Sequence, residues 1–112
     1  MAVPTHQALY KLCQGFPHAI IDHPWGDTVF KVKHKIFVFA SNLDRPLSVT
    51  VKIPRELREL WSANANTYTP AYVGRFGWIG IHIVDDETWT MAQVGIQQSY
   101  DLVSGKSRPS KA

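Results

Sequence analysis

Three lysines two residues apart, Lys31, Lys33 and Lys35, with His34 between the last two, form the densest run of one chemistry in the chain. Lys52 follows, and Arg75 sits beside Phe76 and close to Trp78. A lysine meets a phosphate as a point charge, whereas an arginine forks onto it or stacks on a base. Aromatic rings near such cations can stack on bases or wedge between them. Trp25, Tyr72 and Trp78 are the rings placed to do so, or to line a pocket. The set points to weak, salt-dependent contact with nucleic acid, DNA in the first instance. The plainer alternative is a row of solvated lysines on sheet edges, where they discourage aggregation, with Trp78 in the core.

No catalytic set competes with this reading. Nucleophilic catalysis needs a Ser or Cys held beside a base and an oxyanion hole. Cys13 lies on an apolar helical stripe and reads as a core thiol, and Gly-x-Ser-x-Gly is absent. His18, Asp22 and His23 are close in sequence, but a strand turns the first two one way and His23 the other. No second His or Cys cluster completes a metal set. Gly74, Gly77 and Gly80 have the wrong spacing for a dinucleotide loop, and a strand follows them instead of a helix. The acidic cluster Asp85, Asp86 and Glu87 is explained as a helix start, where carboxylates complement the helix dipole. The expectation is a protein that is not an enzyme and carries no cofactor and no metal.

The elements that must position these residues follow from periodicity. Thr5 reads as an N-cap, with Leu9, Leu12, Cys13 and Phe16 on one helical stripe ended by Gly15 and Pro17. Residues 18–23 read as a short strand and Pro24 to Asp27 as a turn. Thr28 to Val32 and Lys35 to Ala40 are β-rich, with Lys33-His34 as the two-residue tip between them. Neither tip residue favours a positive φ, so the turn type stays open. Leu47, Val49, Val51 and Ile53 alternate with Ser48, Thr50 and Lys52, a strand with one wet face. Pro54 opens a helix with Leu57, Leu60 and Trp61 on its apolar side. Residues 64–70 read as a loop and 72–77 as irregular. In Trp78 to Val84, Ile79, Ile81 and Ile83 share a face, opposite His82 and Trp78. Trp89, Ala92, Ile96, Tyr100 and Val103 form the stripe of a last helix, closed by Gly105. The order is α-β-β-β-β-α-β-α. Successive strands with short links predict an α+β fold, an antiparallel sheet of about five strands with flanking helices.

Composition sets the frame. With 112 residues, 45% of them hydrophobic and 19% charged, the chain is long enough for one core without staples and too apolar to be disordered throughout. Residues 1–104 read as a single domain and 105–112 as a flexible basic tail. The longest apolar run, Ile36 to Ala40, is far short of the roughly 20 residues that span a bilayer, so no membrane is expected. One cysteine and no secretory pattern at the start fit a reduced, cytoplasmic setting. The formal net charge of +3 is mild. Its distribution is uneven: residues 28–60 hold seven of the twelve Lys and Arg, while residues 85–101 hold four acids and no base. A positive face built from the middle segment would follow.

The motifs in order resemble the MmcQ/YjbR-like family. Pro24-Trp25-Gly26, then Val29-Phe30-Lys31-Val32, then Lys35-Ile36-Phe37 match the family's opening pattern of Pro-Phe-Gly followed by two lysine-bearing strands. Val49-Thr50-Val51-Lys52 matches its next lysine-bearing strand. Pro70-Ala71-Tyr72 with Trp78-Ile79 matches its later aromatic segment, and Ser99-Tyr100-Asp101-Leu102-Val103 its C-terminal pattern. The likeness covers about residues 5–104. It implies a double-wing arrangement related to secretion-chaperone-like folds, a small bacterial cytoplasmic protein, DNA binding and no enzymatic chemistry. Lys31, Lys35 and Lys52 stand at matching lysine positions. Two departures stand out: Trp25 replaces the family's Phe, and Val73-Gly74-Arg75 replaces its His-Asn-Lys, keeping only the positive charge. Alternatives to nucleic acid are a protein-interaction or chaperone-like surface around Tyr68, Tyr72, Phe76 and Trp78, monomeric or homodimeric, and a small-molecule pocket lined by Trp25, Tyr72 and Trp78.

Overall fold

The structure of the chain is a computed structural model that describes residues 4–70 and 77–105, with the Trp25 side chain outside that description. Thr5 starts helix α1 (His6–Gln14) by accepting the Ala8 N–H on its hydroxyl. That bond satisfies one of the donors a helix start leaves unpaired. The stripe predicted for α1 buries Leu9 and Cys13 completely. Next come β1 (Ile20–Asp22), a 3-10 turn (Pro24–Gly26), β2 (Thr28–Val32), β3 (Lys35–Ala40) and β4 (Ser48–Lys52). The chain continues through α2 (Arg55–Trp61), β5 (Thr67–Tyr68), β6 (Trp78–His82) and α3 (Asp86–Ser104).

The strands form one antiparallel sheet in the order β1-β2-β3-β4-β6-β5. The α+β reading holds, with six strands where about five were expected. The extra one is β5, whose Thr67 and Tyr68 pair with Ile81 and Gly80 at the sheet's edge. Two residues carry no period, so a strand there leaves no mark in the pattern of residues.

All three helices pack on one face of the sheet. Phe30, Val32, Phe37, Val38, Val49, Val51, Ile79 and Ile81 meet Leu9, Cys13, Ala92, Ile96 and Tyr100 in a single cluster. Gly95 lets α3 lie close: a Cβ there would sit 2.9 Å from Val51 Cγ2 and 3.2 Å from the Trp61 ring. Register explains an irregularity in β3. Phe30 pairs with Val38 but Lys31 pairs with Ile36, so Phe37 is the extra residue of a bulge. The bulge turns Phe37 inward to pack on Phe16 and Tyr100. It also frees the Phe37 carbonyl, and the buried Ser99 hydroxyl donates to it at 2.5 Å while accepting the Lys52 N–H at 2.9 Å. Helix α2 differs from its sequence reading in one respect. Leu57 and Trp61 pack on the core, but Leu60 is 69% exposed. Seven residues give too few turns for a wide apolar face.

The other face of the sheet has no helix on it among the described residues. Residues paired across an antiparallel sheet share a face, and neighbours along a strand alternate. The register therefore puts Val29, Lys31, Ile36, Phe39, Thr50, Lys52, Trp78, Gly80, His82 and Tyr68 on this open face.

Candidate nucleic-acid interface

The three central lysines do not act together. Lys33 and His34 form the tip of the β2–β3 hairpin with φ of 54° and 66°, both left-handed. Such a turn matches the twist of paired strands and is usually made with Asn or Gly. Here it directs Lys33 across the molecule, where its ammonium donates to the Ser104 carbonyl at 2.8 Å. A cation at the carbonyl end of α3 satisfies an orphan acceptor and complements the helix dipole. Lys33 thus has a structural job on the helix side. Lys31 points to the open face but is paired with Asp22 at 2.9 Å. The Lys31 ammonium, followed by the His23 N–H, holds the Asp22 carboxyl below its ordinary range. Lys35 pairs with buried Val32 and so lies on the helix side of the sheet edge. A single positive face made by Lys31, Lys33 and Lys35 is not what the fold builds.

A different set gathers at the end of the open face, where α2 comes close to it beside Gly77. Lys52 lies opposite Trp78, at the end of β4. Gly77, at a φ of 101°, brings the chain in beside it. A Cβ on Gly77 would lie 3.7 Å from Lys52 Cγ and Cε and 3.9 Å from Arg58 Nε. Lys52 and Arg58 therefore converge on one short stretch of backbone. Arg58 spends its Nε–H on the Ile53 carbonyl at 3.3 Å, which fixes the guanidinium in place. The two ion pairs among the described residues are Lys31–Asp22 and Arg55–Glu59, so neither Lys52 nor Arg58 is neutralised by a described carboxylate. Arg58, Trp78, Ser62 and Thr69 line a shallow cavity of about 170 Å³ together with Glu59, whose carboxylate is held by Arg55.

Rings occupy the middle of the same face. Phe39 and Trp78 meet edge to face at 5.2 Å. Tyr68 lies across Gly80: a Cβ there would fall 2.1 Å from Cζ and 2.4 and 2.5 Å from the two Cε atoms. Those distances put the point over the ring plane, so the ring lies face-down on the strand. His82 packs beside it, ring centroids 4.7 Å apart. At the far end of β4, Arg45, Ser48, His82, Asn42 and Asp27 line a second cavity of about 340 Å³.

Tyr72 and Arg75, two of the expected site residues, lie outside the described residues, as do Phe76 and the tail 106–112. Trp25 enters only through its backbone, as the middle of the 3-10 turn. Arg58 and Tyr68 belong to the site but were missed as parts of it. Arg58 read as the polar side of α2, and Tyr68 as a loop aromatic proposed only for protein contact. One signal was available: a glycine inside a strand marks a close approach, and Gly80 is the floor under Tyr68. Chemically, the face can take a polyanion at Lys52 and Arg58 and flat, unsaturated groups along Tyr68, Phe39 and Trp78. Cys13 offers no nucleophile there, since burial pushes its thiol up to about 12.

The fold has a solved counterpart. A crystal structure of a protein from Pseudomonas syringae superposes with a TM-score of 0.69 at 16% identity, covering 89% of this chain and 99% of that one. At that identity the likeness concerns the fold. A comparison with curated proteins found no match. The sequence profile of the YjbR family, by contrast, matches residues 14–102, from the last residue of α1 into the last turn of α3. That stretch takes in every strand and Lys31, Lys52, Arg58 and Tyr68, and the chain belongs to the YjbR family.

Proposed function

We propose that this protein binds nucleic acid without acting on it chemically, meeting phosphates at the Lys52–Arg58 end of the open sheet face. The observation that carries the reading is the convergence of those two cations on Gly77 beside Trp78, without a described carboxylate to neutralise them. Like charges brought close together are costly unless an anion meets them, and a phosphate chain does. A formal net charge of +3 favours the encounter.

With two or three phosphates neutralised, affinity is modest. It falls about ten- to thirty-fold between 50 and 200 mM salt. Fluorescence anisotropy with a labelled oligonucleotide across that range checks this. The double substitution Lys52→Glu, Arg58→Glu removes binding at 50 mM salt. Lys35→Glu, on the other side of the sheet, lowers it only by the general loss of charge. Lys33→Glu is unsuitable as a probe, because it removes the cation that caps α3. Absence of binding at low salt, or an affinity indifferent to salt, would discard the reading.

A further inference from the structure

We infer that the nucleic acid taken by this face is single-stranded; the inference rests on the proposed function and narrows its ligand. Three observations lead there. The rings of the open face are mounted on a sheet, not on a helix that could enter a groove. Tyr68 lies face-down on Gly80 and is 36% exposed, with His82 beside it and the Phe39–Trp78 pair across the sheet. A ring presented flat can be covered by an unpaired base, whereas the bases of a duplex are already covered by their neighbours. Second, the hairpin tip that would serve as a groove-entering wing is held back by the bond from Lys33 to Ser104.

Third, cations stand at both ends of the platform. Lys52 and Arg58 converge at one end, and Arg45 lines the cavity at the other end with Ser48 and His82. Ser48 to Lys52 spans about 13 Å along β4, on the order of four stacked nucleotides. A strand laid along β4 would set phosphates at the ends and bases on the rings between. Sequence preference is weak in such a site, since every base offers a π face.

The test compares one mixed-sequence 12-nucleotide DNA strand, chosen to lack self-pairing, with the same strand annealed to its complement. Both are titrated by anisotropy against the full chain at 50 mM salt. The strand alone binds at least ten-fold tighter. Tyr68→Leu reduces strand affinity roughly ten-fold or more, towards the duplex value, and Tyr68→Phe, which keeps the ring on Gly80, retains it. Duplex affinity equal to or above that of the strand overturns the inference and leaves the phosphate reading standing, provided Lys52→Glu, Arg58→Glu still removes it. Equal strand affinity for Tyr68→Leu and the wild type also overturns it. No binding of either probe overturns both.

Discussion

At the scale of single residues, the site depends on which partner each cation has. Lys31 is answered by Asp22, Lys33 by a helix end, and Lys52 by no described carboxylate. Sequence spacing cannot distinguish these three, because the partner of Lys33 comes from the far end of the chain. The left-handed tip is a case where local preference gives way to tertiary demand. Holding a non-glycine residue there costs about 1–2 kcal/mol, of which glycine's extra unfolded-state freedom returns roughly half. His34→Gly is therefore expected to raise Tm by about 2–5 °C while leaving Lys33 on Ser104. A calorimetric melt checks it, and a lower Tm would mean that the turn is not strained. Among the buried groups, Cys13 needs no function: fully enclosed, with its thiolate disfavoured, it packs as a small apolar side chain.

At the scale of elements, the caps and alternations were the legible part. Thr5 and Asp85 both cap the helices their positions suggested, and β4 alternates in the face its residues point to, although Thr50 on the side expected to be wet is buried. The start of α3 is the firmest example. The Asp85 carboxylate accepts the Thr88 N–H at 2.9 Å, and the buried Thr88 hydroxyl accepts the Asp85 N–H at 3.0 Å. The same hydroxyl takes the Val84 N–H at 2.8 Å. The Thr88 N–H, then its hydroxyl, hold the Asp85 carboxyl below its ordinary value. A depressed carboxyl contributes stability that is present above its unfolded pKa of about 3.9 and lost as pH falls through the lower folded value. Thr88→Val removes the hydroxyl bonds. It is expected to cost about 1–2 kcal/mol at neutral pH and to shrink the loss of Tm seen between pH 5 and pH 3. A variant with unchanged Tm would contradict this account of the cap. The illegible elements were β5 and the outward side of α2. A two-residue strand and a two-turn helix are decided by what they meet, not by their own pattern.

At the scale of the whole molecule, the sheet divides the labour. Its helix side holds the aliphatic core, both cap-anchored helices and the Lys33 tether. Its open side holds rings and Lys52, which Arg58 of α2 approaches at the end of the sheet beside Gly77. No described helix is long and apolar enough to cross a membrane. The fold class could be read from the order of elements. The site could be read only in part: Lys52 and Trp78 were named from their types, but Arg58 joins them only because residue 77 returns to α2. That contact is non-local and leaves no spacing in the sequence.

Chemical-shift mapping of the amide nitrogens and protons, as a single-stranded 12-mer is titrated into the labelled protein at low salt, addresses the central claim most directly. The account predicts that the largest shifts fall on Lys52, Arg58, Gly77 to His82 and Tyr68, with the amides of α1 and of the hairpin tip at Lys33 and His34 nearly unmoved. Shifts centred on the hairpin tip or on the helix side, with the open sheet face silent, would contradict it.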